Sequence, residues 1–363
     1  MIVDGVILRD AMLAKRRSLR AHSRRLEPLV MPAGPAGITP ADDGYHFGQY
    51  QNSSHRFWYV EWWYFNFVVP QSQLAGMITF AIANPGDVDG LAMASLNMAM
   101  FDAATGNVTT VMDYFPGSDF AASSQQADVA IGANAIAVQP DGSYDIDAAT
   151  LAGDVTLDLT YRQADAPVLL ADNVQGYDPW EISSWLVDMP SATVDGCVTI
   201  AGKQYQLQNA NGYHDHDWGM WLLPDRVWSW AQFSSPAQQI SLDIGFHAAF
   251  QQSSAYFRSG GLHLMFPQQN FNFVQDGWQE WEFGKKYPTQ MTFQAVDATG
   301  AYQLALAWQV TSTAVLWKYP LIVFEQTAHY QGSLNRLDTV SGQWQPILPI
   351  DEVGFAEYTD TWL

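Results

Sequence analysis

From Phe57 to the C-terminus, short apolar and aromatic runs alternate with turn signals, and this pattern constrains the fold more tightly than any other feature. Phe57 to Val69 is almost wholly aromatic and β-branched, interrupted only by Glu61 and Asn66. Further runs follow at Met77 to Ala83, Leu91 to Phe101, Val108 to Met112, Val129 to Val138, Val155 to Tyr161 and Thr193 to Ile200, punctuated by Asn-Pro-Gly, Thr-Gly-Asn and Pro-Asp-Gly. Runs of this length between such turn residues read as strands. After residue 220 the pattern resumes. Ile240, Leu242, Ile244 and Phe246 alternate with Ser241, Asp243, Gly245 and His247, and Tyr302, Leu304, Leu306, Trp308 and Val310 alternate with smaller or polar residues. An all-β sandwich or barrel architecture is expected. At 363 residues the chain has room for two such units, placed at 41–220 and 221–363.

The first 40 residues do not share the pattern. Leu8, Met12, Leu19 and Leu26 recur near helical spacing, and seven of the 16 Lys and Arg residues lie within the first 25 positions. A short basic amphipathic helix is expected there, followed by a Pro- and Gly-rich linker from Met31 to Pro40. Residues 1–30 could rest on the acidic body of the protein or make peripheral contact with an anionic membrane. The formal net charge of -21 argues against nucleic acid as a partner, because phosphate binding needs a basic surface. Charges interrupt each apolar stretch before it could span a bilayer, so a cytoplasmic protein is expected, with membrane association through the basic segment as the alternative. Cys197 stands alone, which excludes an internal disulfide and a Cys-rich zinc site. No feature speaks to oligomeric state.

Two stretches concentrate chemistry. Gly212-Tyr213-His214-Asp215-His216-Asp217-Trp218-Gly219-Met220-Trp221 holds two imidazoles, two carboxyls and two indoles in a chain with only eight histidines. As a strand it sends His214, His216 and Trp218 to one face and Tyr213, Asp215 and Asp217 to the other. The first face then offers proton donors beside an aromatic wall. In Tyr59 to Phe67, alternation puts Glu61, Trp63 and Phe65 on one face and Trp62, Tyr64 and Asn66 on the other, so large aromatics cover both sides. Two readings of a buried Glu61 are open: a core anchor paired with an Arg or with Tyr hydroxyls, or a pocket carboxyl whose raised pKa lets it donate a proton. Trp218, Trp221, Trp228 and Trp230 either pack a core or wall a site that stabilises developing positive charge, at ~1 to 2 kcal/mol per cation-π contact when desolvated.

His214-x-His216 could align two imidazoles on a metal, with Glu61 or Asp217 as third ligand, but no third ligand sits in a recognised motif. The chain also lacks a Gly-x-Ser-x-Gly elbow, a Walker A loop and a strand-anchored Gly-x-Gly-x-x-Gly. Neither a metal nor a cofactor is expected.

Glu61-Trp62-Trp63-Tyr64-Phe65, the spaced Trp185, Pro190, Gly196 and Gly202, and Gly212 to Gly219 resemble the hydroxyneurosporene synthase and AttH-like family, which includes carotenoid hydratases and fungal lipocalin-like Diels-Alderases. Glu325 with Gly332, and Gly354 to Thr359, match more loosely, so that the resemblance runs from residue 45 to residue 360, with Tyr-His-Asp-His-x-Trp-Gly as its specific part. It implies two tandem lipocalin-like β-barrel domains, a hydrophobic pocket near their junction and no cofactor. Where the family has Asn after the second His, this chain has Asp217. The acid of the family's hydratases lies on the strands after the His motif, where Asp243 is the candidate counterpart. The expected function is a cofactor-free lyase or isomerase that hydrates or cyclises a hydrophobic polyene, terpenoid or polyketide. A pericyclase and a non-catalytic lipid or pigment carrier are the alternatives. Candidate catalytic residues are Glu61, His214, His216, Asp217 and Asp243. Candidate substrate-binding residues are Trp62, Tyr64, Tyr213, Trp218, Trp221, Trp228 and Trp230.

Overall fold

Alternation becomes strand almost wherever it is written. The structure is a computed structural model that describes residues 37–70, 73–222, 227–247, 252–318 and 321–361. The basic helix expected within residues 1–30 lies outside the described residues. Among the described residues before the first long strand, the chain makes short 3-10 turns at Pro40–Asp43, Phe47–Gln49 and Arg56–Trp58. The first twelve strands are β1 (Tyr59–Val69), β2 (Leu74–Ala83), β3 (Met93–Asp102), β4 (Asn107–Pro116), β5 (Phe120–Ala122), β6 (Val129–Ile131), β7 (Asn134–Val138), β8 (Tyr144–Ala149), β9 (Val155–Gln163), β10 (Val168–Gln175), β11 (Ile182–Ile200) and β12 (Lys203–Met220). The remainder are β13 (Trp228–Ser235), β14 (Ile240–His247), β15 (Gln252–Ser259), β16 (Leu262–Pro267), β17 (Phe271–Asp276), β18 (Gln279–Glu280), β19 (Lys286–Tyr287), β20 (Gln290–Val296), β21 (Tyr302–Lys318), β22 (Leu321–Asp338) and β23 (Gln343–Thr361).

All but β18 and β19, which pair with each other, belong to two large antiparallel sheets. The first has twelve strands in the order β4-β3-β2-β1-β12-β11-β9-β8-β7-β6-β5, with β10 on β11. The second has nine, in the order β16-β15-β14-β13-β23-β22-β21-β20-β17. Most neighbours are consecutive in sequence, as hairpins require, and each sheet is completed by a late strand returning to an early one: β12 to β1, and β23 to β13. The sheets curl into nearly closed and half-barrel forms, so the fold is the all-β, lipocalin-like one. No helix among the described residues is long and apolar enough to cross a membrane.

Each barrel fills its interior with one side of the alternation. Trp63, Phe65, Phe67, Ile78 and Phe80 pack inside the first, and Phe233, Leu242, Ile244, Phe257 and Tyr330 inside the second. A third apolar cluster joins the outer faces of the two, with Tyr64, Val68, Met77 and Tyr213 from the first sheet against Trp230, Tyr256, Leu316 and Phe355 from the second. This explains why β1 carries aromatics on both faces: one looks into the first barrel and the other onto the second sheet.

Two runs differ from their expected limits for local reasons. Val129 to Val138 breaks into β6 and β7 because Gly132 turns the chain at φ +60°, a left-handed conformation that glycine adopts without steric penalty. The run expected from Thr193 begins at Ile182 instead, and its register against β12 shifts on both sides of Met189, beside Pro190. A proline cannot donate to the ladder, so the strand is irregular there and continues beyond.

Candidate active site

The pairing of β1, β12 and β11 sets one wall of a cavity between the sheets. Trp62 lies opposite Asp217, Tyr64 opposite Asp215, and Trp185 on the other side of Asp217. The cavity encloses about 510 Å³, and its lining includes Trp62, Tyr64, Trp185, Asp215, Asp217 and Trp221 from the first sheet and its edge, with Trp228, Trp230, His247 and Glu357 from the second. The aromatic rings brace one another. Trp62 meets Trp221 edge-on at 6.0 Å and stacks with Trp228 at 6.2 Å, and Tyr64 meets Trp230 at 5.4 Å. Contacts of this kind hold large side chains in fixed rotamers. The Trp228 indole donates to Glu357 Oε2 at 2.7 Å.

Trp185 rests on Gly245 of β14, where a Cβ would lie 2.3 Å from the indole Cζ3. Gly245→Ala is therefore expected to destabilise the protein by about 1–3 kcal/mol through overpacking and to displace Trp185. Equilibrium unfolding and tryptophan emission would both register the change, and an unaltered unfolding midpoint would contradict this packing.

Asp215 is the cavity carboxyl with the most defined surroundings. Its Oδ2 accepts from the Tyr213 hydroxyl at 2.8 Å and from the Trp185 indole at 3.0 Å. Burial pushes its pKa up to about 6, and these two donors with the nearby histidines hold it from rising further. Asp243, on β14, is wholly buried behind it. Burial pushes its pKa well above the carboxylate range, the Asp215 charge adds to this, and Tyr213 lies beside it as a counteracting donor. Neither Asp243 oxygen has a hydrogen-bond partner of normal geometry among the described residues. Without a partner for a negative charge, the buried Asp243 carboxyl favours its protonated form.

On the opposite face of the same two strands, inside the first barrel, lies a second polar cluster. Glu61 accepts from the His46 backbone at 2.9 Å, from the Tyr59 hydroxyl at 2.5 Å and from His216 Nε2 at 2.9 Å. Asp43 faces His216 Nδ1 at 3.2 Å and His214 Nε2 at 3.0 Å, and it accepts from the Tyr144 hydroxyl at 2.7 Å. Burial alone would raise the pKa of both carboxyls, but the imidazoles opposite lower it below the ordinary value. Burial likewise opposes a charge on His216, yet Asp43 and Glu61 raise its pKa to about 9, and His214 is raised in the same way by Asp43. The carboxylates and imidazoles thus favour one another's charged forms in a buried interior, where an unpaired charge would be costly. His216 also stacks on Trp63 at 4.4 Å, and His214 on Phe65 at 3.9 Å.

This geometry redistributes the residues singled out in the sequence. Trp62, Tyr64, Asp217, Trp221, Trp228 and Trp230 line the cavity, with Tyr213 and Asp243 just behind its surface. His214, His216 and Trp218 do not reach it, because their face of β12 turns into the first barrel, where Trp218 stacks on His46 at 3.9 Å. The carboxyl of Glu61 turns the same way, and of its two readings the raised pKa of a proton donor is not found: His216 and His46 hydrogen-bond to it and lower its pKa against the effect of burial. The anchoring partners are tyrosine and histidine. Asp215, Trp185 and Glu357 were not singled out as site residues. Strand alternation separates Asp215 from the histidines, but only the sheet-to-sheet packing shows which face meets a cavity. Asp43 and His46 precede the first strand and carry no recognisable local signal.

Two groups, His46 with Glu61 and His216, and Asp43 with Asp188 and His214, each bring ligand atoms within 4.8 Å of one another. Both nitrogens of His216 already face carboxylates, an arrangement that holds protons; a metal would have to displace them. Dialysis against a strong chelator is expected to leave the melting temperature unchanged. Stoichiometric zinc in the purified protein, with a lower melting temperature once it is stripped, would contradict this.

Two curled β sheets with an indole-lined cavity between them define a lipocalin-like protein of the AttH-like fold. No protein-family model matches the sequence, and no curated protein does. Among solved structures, an AttH-like protein from Nitrosomonas europaea superposes with a TM-score of 0.65 at 18% identity, over 92% of this chain and 98% of that one. Kievitone hydratase from Nectria haematococca superposes with a TM-score of 0.59 at 15% identity, over 93% of this chain and 98% of that one. At these identities the likeness establishes the shared fold.

Proposed function

We propose that the protein is a cofactor-free hydratase or cyclase that takes a hydrophobic polyene, terpenoid or polyketide into the cavity between its sheets. The observation that carries this reading is a buried acid in an apolar setting: a cavity lined by five tryptophans, with a wall carboxyl poised near neutrality. A carboxyl so placed can protonate an alkene, because its pKa lies near the operating pH. Indole faces stabilise the cation that results, and the fixed walls hold the reacting ends of a flexible substrate together. A solved neighbour that is a hydratase supports the same reading.

Purification from the native source, native mass spectrometry and identification of any co-purified hydrophobic compound test the proposal. That compound is then incubated with fresh protein in heavy water. Hydration or acid-initiated cyclisation leaves solvent deuterium on carbon. Turnover without deuterium on carbon would favour a pericyclase that acts by templating alone. Binding without turnover would favour a carrier.

A further inference from the structure

Apart from Glu61, whose carboxyl turns into the first barrel, the cavity lining holds the carboxyl residues Asp215, Asp217 and Glu357, and Asp243 stands just behind it. Only one of these acids can be the proton donor in a given step, and hydrogen bonding distinguishes Asp215 from Asp243. Resting on the hydratase-or-cyclase reading above, we propose that Asp215 hands the proton to the cavity ligand from its Oδ1, and that Asp243 keeps its own proton.

The two oxygens of Asp215 are not equivalent. Oδ2 accepts from both Tyr213 and Trp185. A carboxylic acid accepts best at its carbonyl oxygen, so the proton resides on Oδ1. Once that proton leaves, the same two donors stabilise the carboxylate left behind, without any rearrangement. Asp243 has a weaker provision, with Tyr213 beside it but outside normal hydrogen-bond geometry. Both of its oxygens are buried without a hydrogen-bond partner of normal geometry among the described residues, so its ionised form would be unsupported. It is a neutral backstop beside Asp215, and it does not line the cavity.

The step balances simply. The Oδ1 proton forms a C–H bond with the alkene π pair, water adds its oxygen to the resulting cation, and the proton that water loses returns to Oδ1. In a cyclisation the cation is captured by a second double bond, and a carbon-bound proton returns to Oδ1 instead. The groups facing Asp215 are Tyr64 from β1, Tyr213 and Asp217 from β12, Trp185 from β11 and Asp243 from β14. His214 and His216 act on it through the sheet and favour its ionised form.

A long-chain diazoalkane, 1-diazododecane, tests the assignment without a known substrate. Such a reagent takes the proton of a carboxylic acid onto its carbon, loses dinitrogen and alkylates the carboxylate that remains. It therefore marks a carboxyl that is both protonated and in reach of an apolar ligand. Peptide mapping of the full-length protein is expected to show more ester at Asp215 than at any other carboxyl, with labelling that falls as pH rises through about 6. Asp215→Asn should abolish this ester, and Asp243→Asn should leave it in place. Tyr213→Phe removes a donor to the carboxylate, so labelling should persist to higher pH; a merely structural tyrosine would not move that profile. Ester at Asp243, Asp217 or Glu357 in place of Asp215 would overturn the assignment while leaving the cavity reading intact. Absence of ester at all four would overturn both.

Discussion

Glu61→Gln is expected to destabilise the protein by about 3–5 kcal/mol, the range for removing one member of a buried ion pair. Glutamine preserves the shape of the side chain, so the loss reports charge. The variant leaves Asp43 as the only carboxylate paired directly with the two buried imidazoles, His214 and His216, with Asp188 close to His214. Urea unfolding measures the effect, and a loss below about 1 kcal/mol would show that the cluster is a neutral hydrogen-bond network.

The pH dependence of the same difference gives an independent check. His216, raised to about 9, contributes stability fully below its unfolded value near 6.5 and loses it as pH rises through 9. Glu61, lowered by its partners, contributes fully above its unfolded value near 4.3 and loses it as pH falls. The gap in melting temperature between the native protein and Glu61→Gln should therefore be widest between roughly pH 5 and 6.5, and close on both sides. Asp215, raised to about 6, titrates in this span and Asp188, raised to about 7, just above it, but both are present in both proteins.

Asp215→Asn should cut turnover of the co-purified compound by roughly 100-fold or more with little change in its binding, the pattern for loss of a general acid. The amide keeps the acceptor oxygen for Tyr213 and Trp185 and removes only the transferable proton. Asp243→Asn replaces a neutral acid by a neutral amide of the same shape, so a loss within about tenfold is expected. Should Asp243→Asn abolish turnover while Asp215→Asn retains it, Asp243 would be the acid, as the family resemblance implied.

Much of this architecture was legible before any coordinates. Alternation located most long strands, because a strand covered on one or both faces must repeat every second residue. The two sides of β1 were legible for the same reason. Which side holds the cavity was not. His214-Asp215-His216 reads the same whichever face meets the ligand, and local sequence carries no information about how one sheet packs on another. Concentrated histidine suggested chemistry, whereas here both imidazoles are held by carboxylates inside a barrel. Asp43 escaped notice because its partners lie 171 and 173 positions away in the chain, at His214 and His216.

The shared wall of β1 and β12 has a consequence for variation. Odd positions of β1 and even positions of β12 pack inside the first barrel, while Trp62, Tyr64, Asp215 and Asp217 beside them line the cavity. Adjacent residues thus answer to different pressures, and a substitution at 62, 64, 215 or 217 can reshape the cavity without touching the ion pairs one residue away. A library restricted to these positions would vary the cavity while leaving those ion pairs in place, with position 64 also bearing on the packing between the sheets.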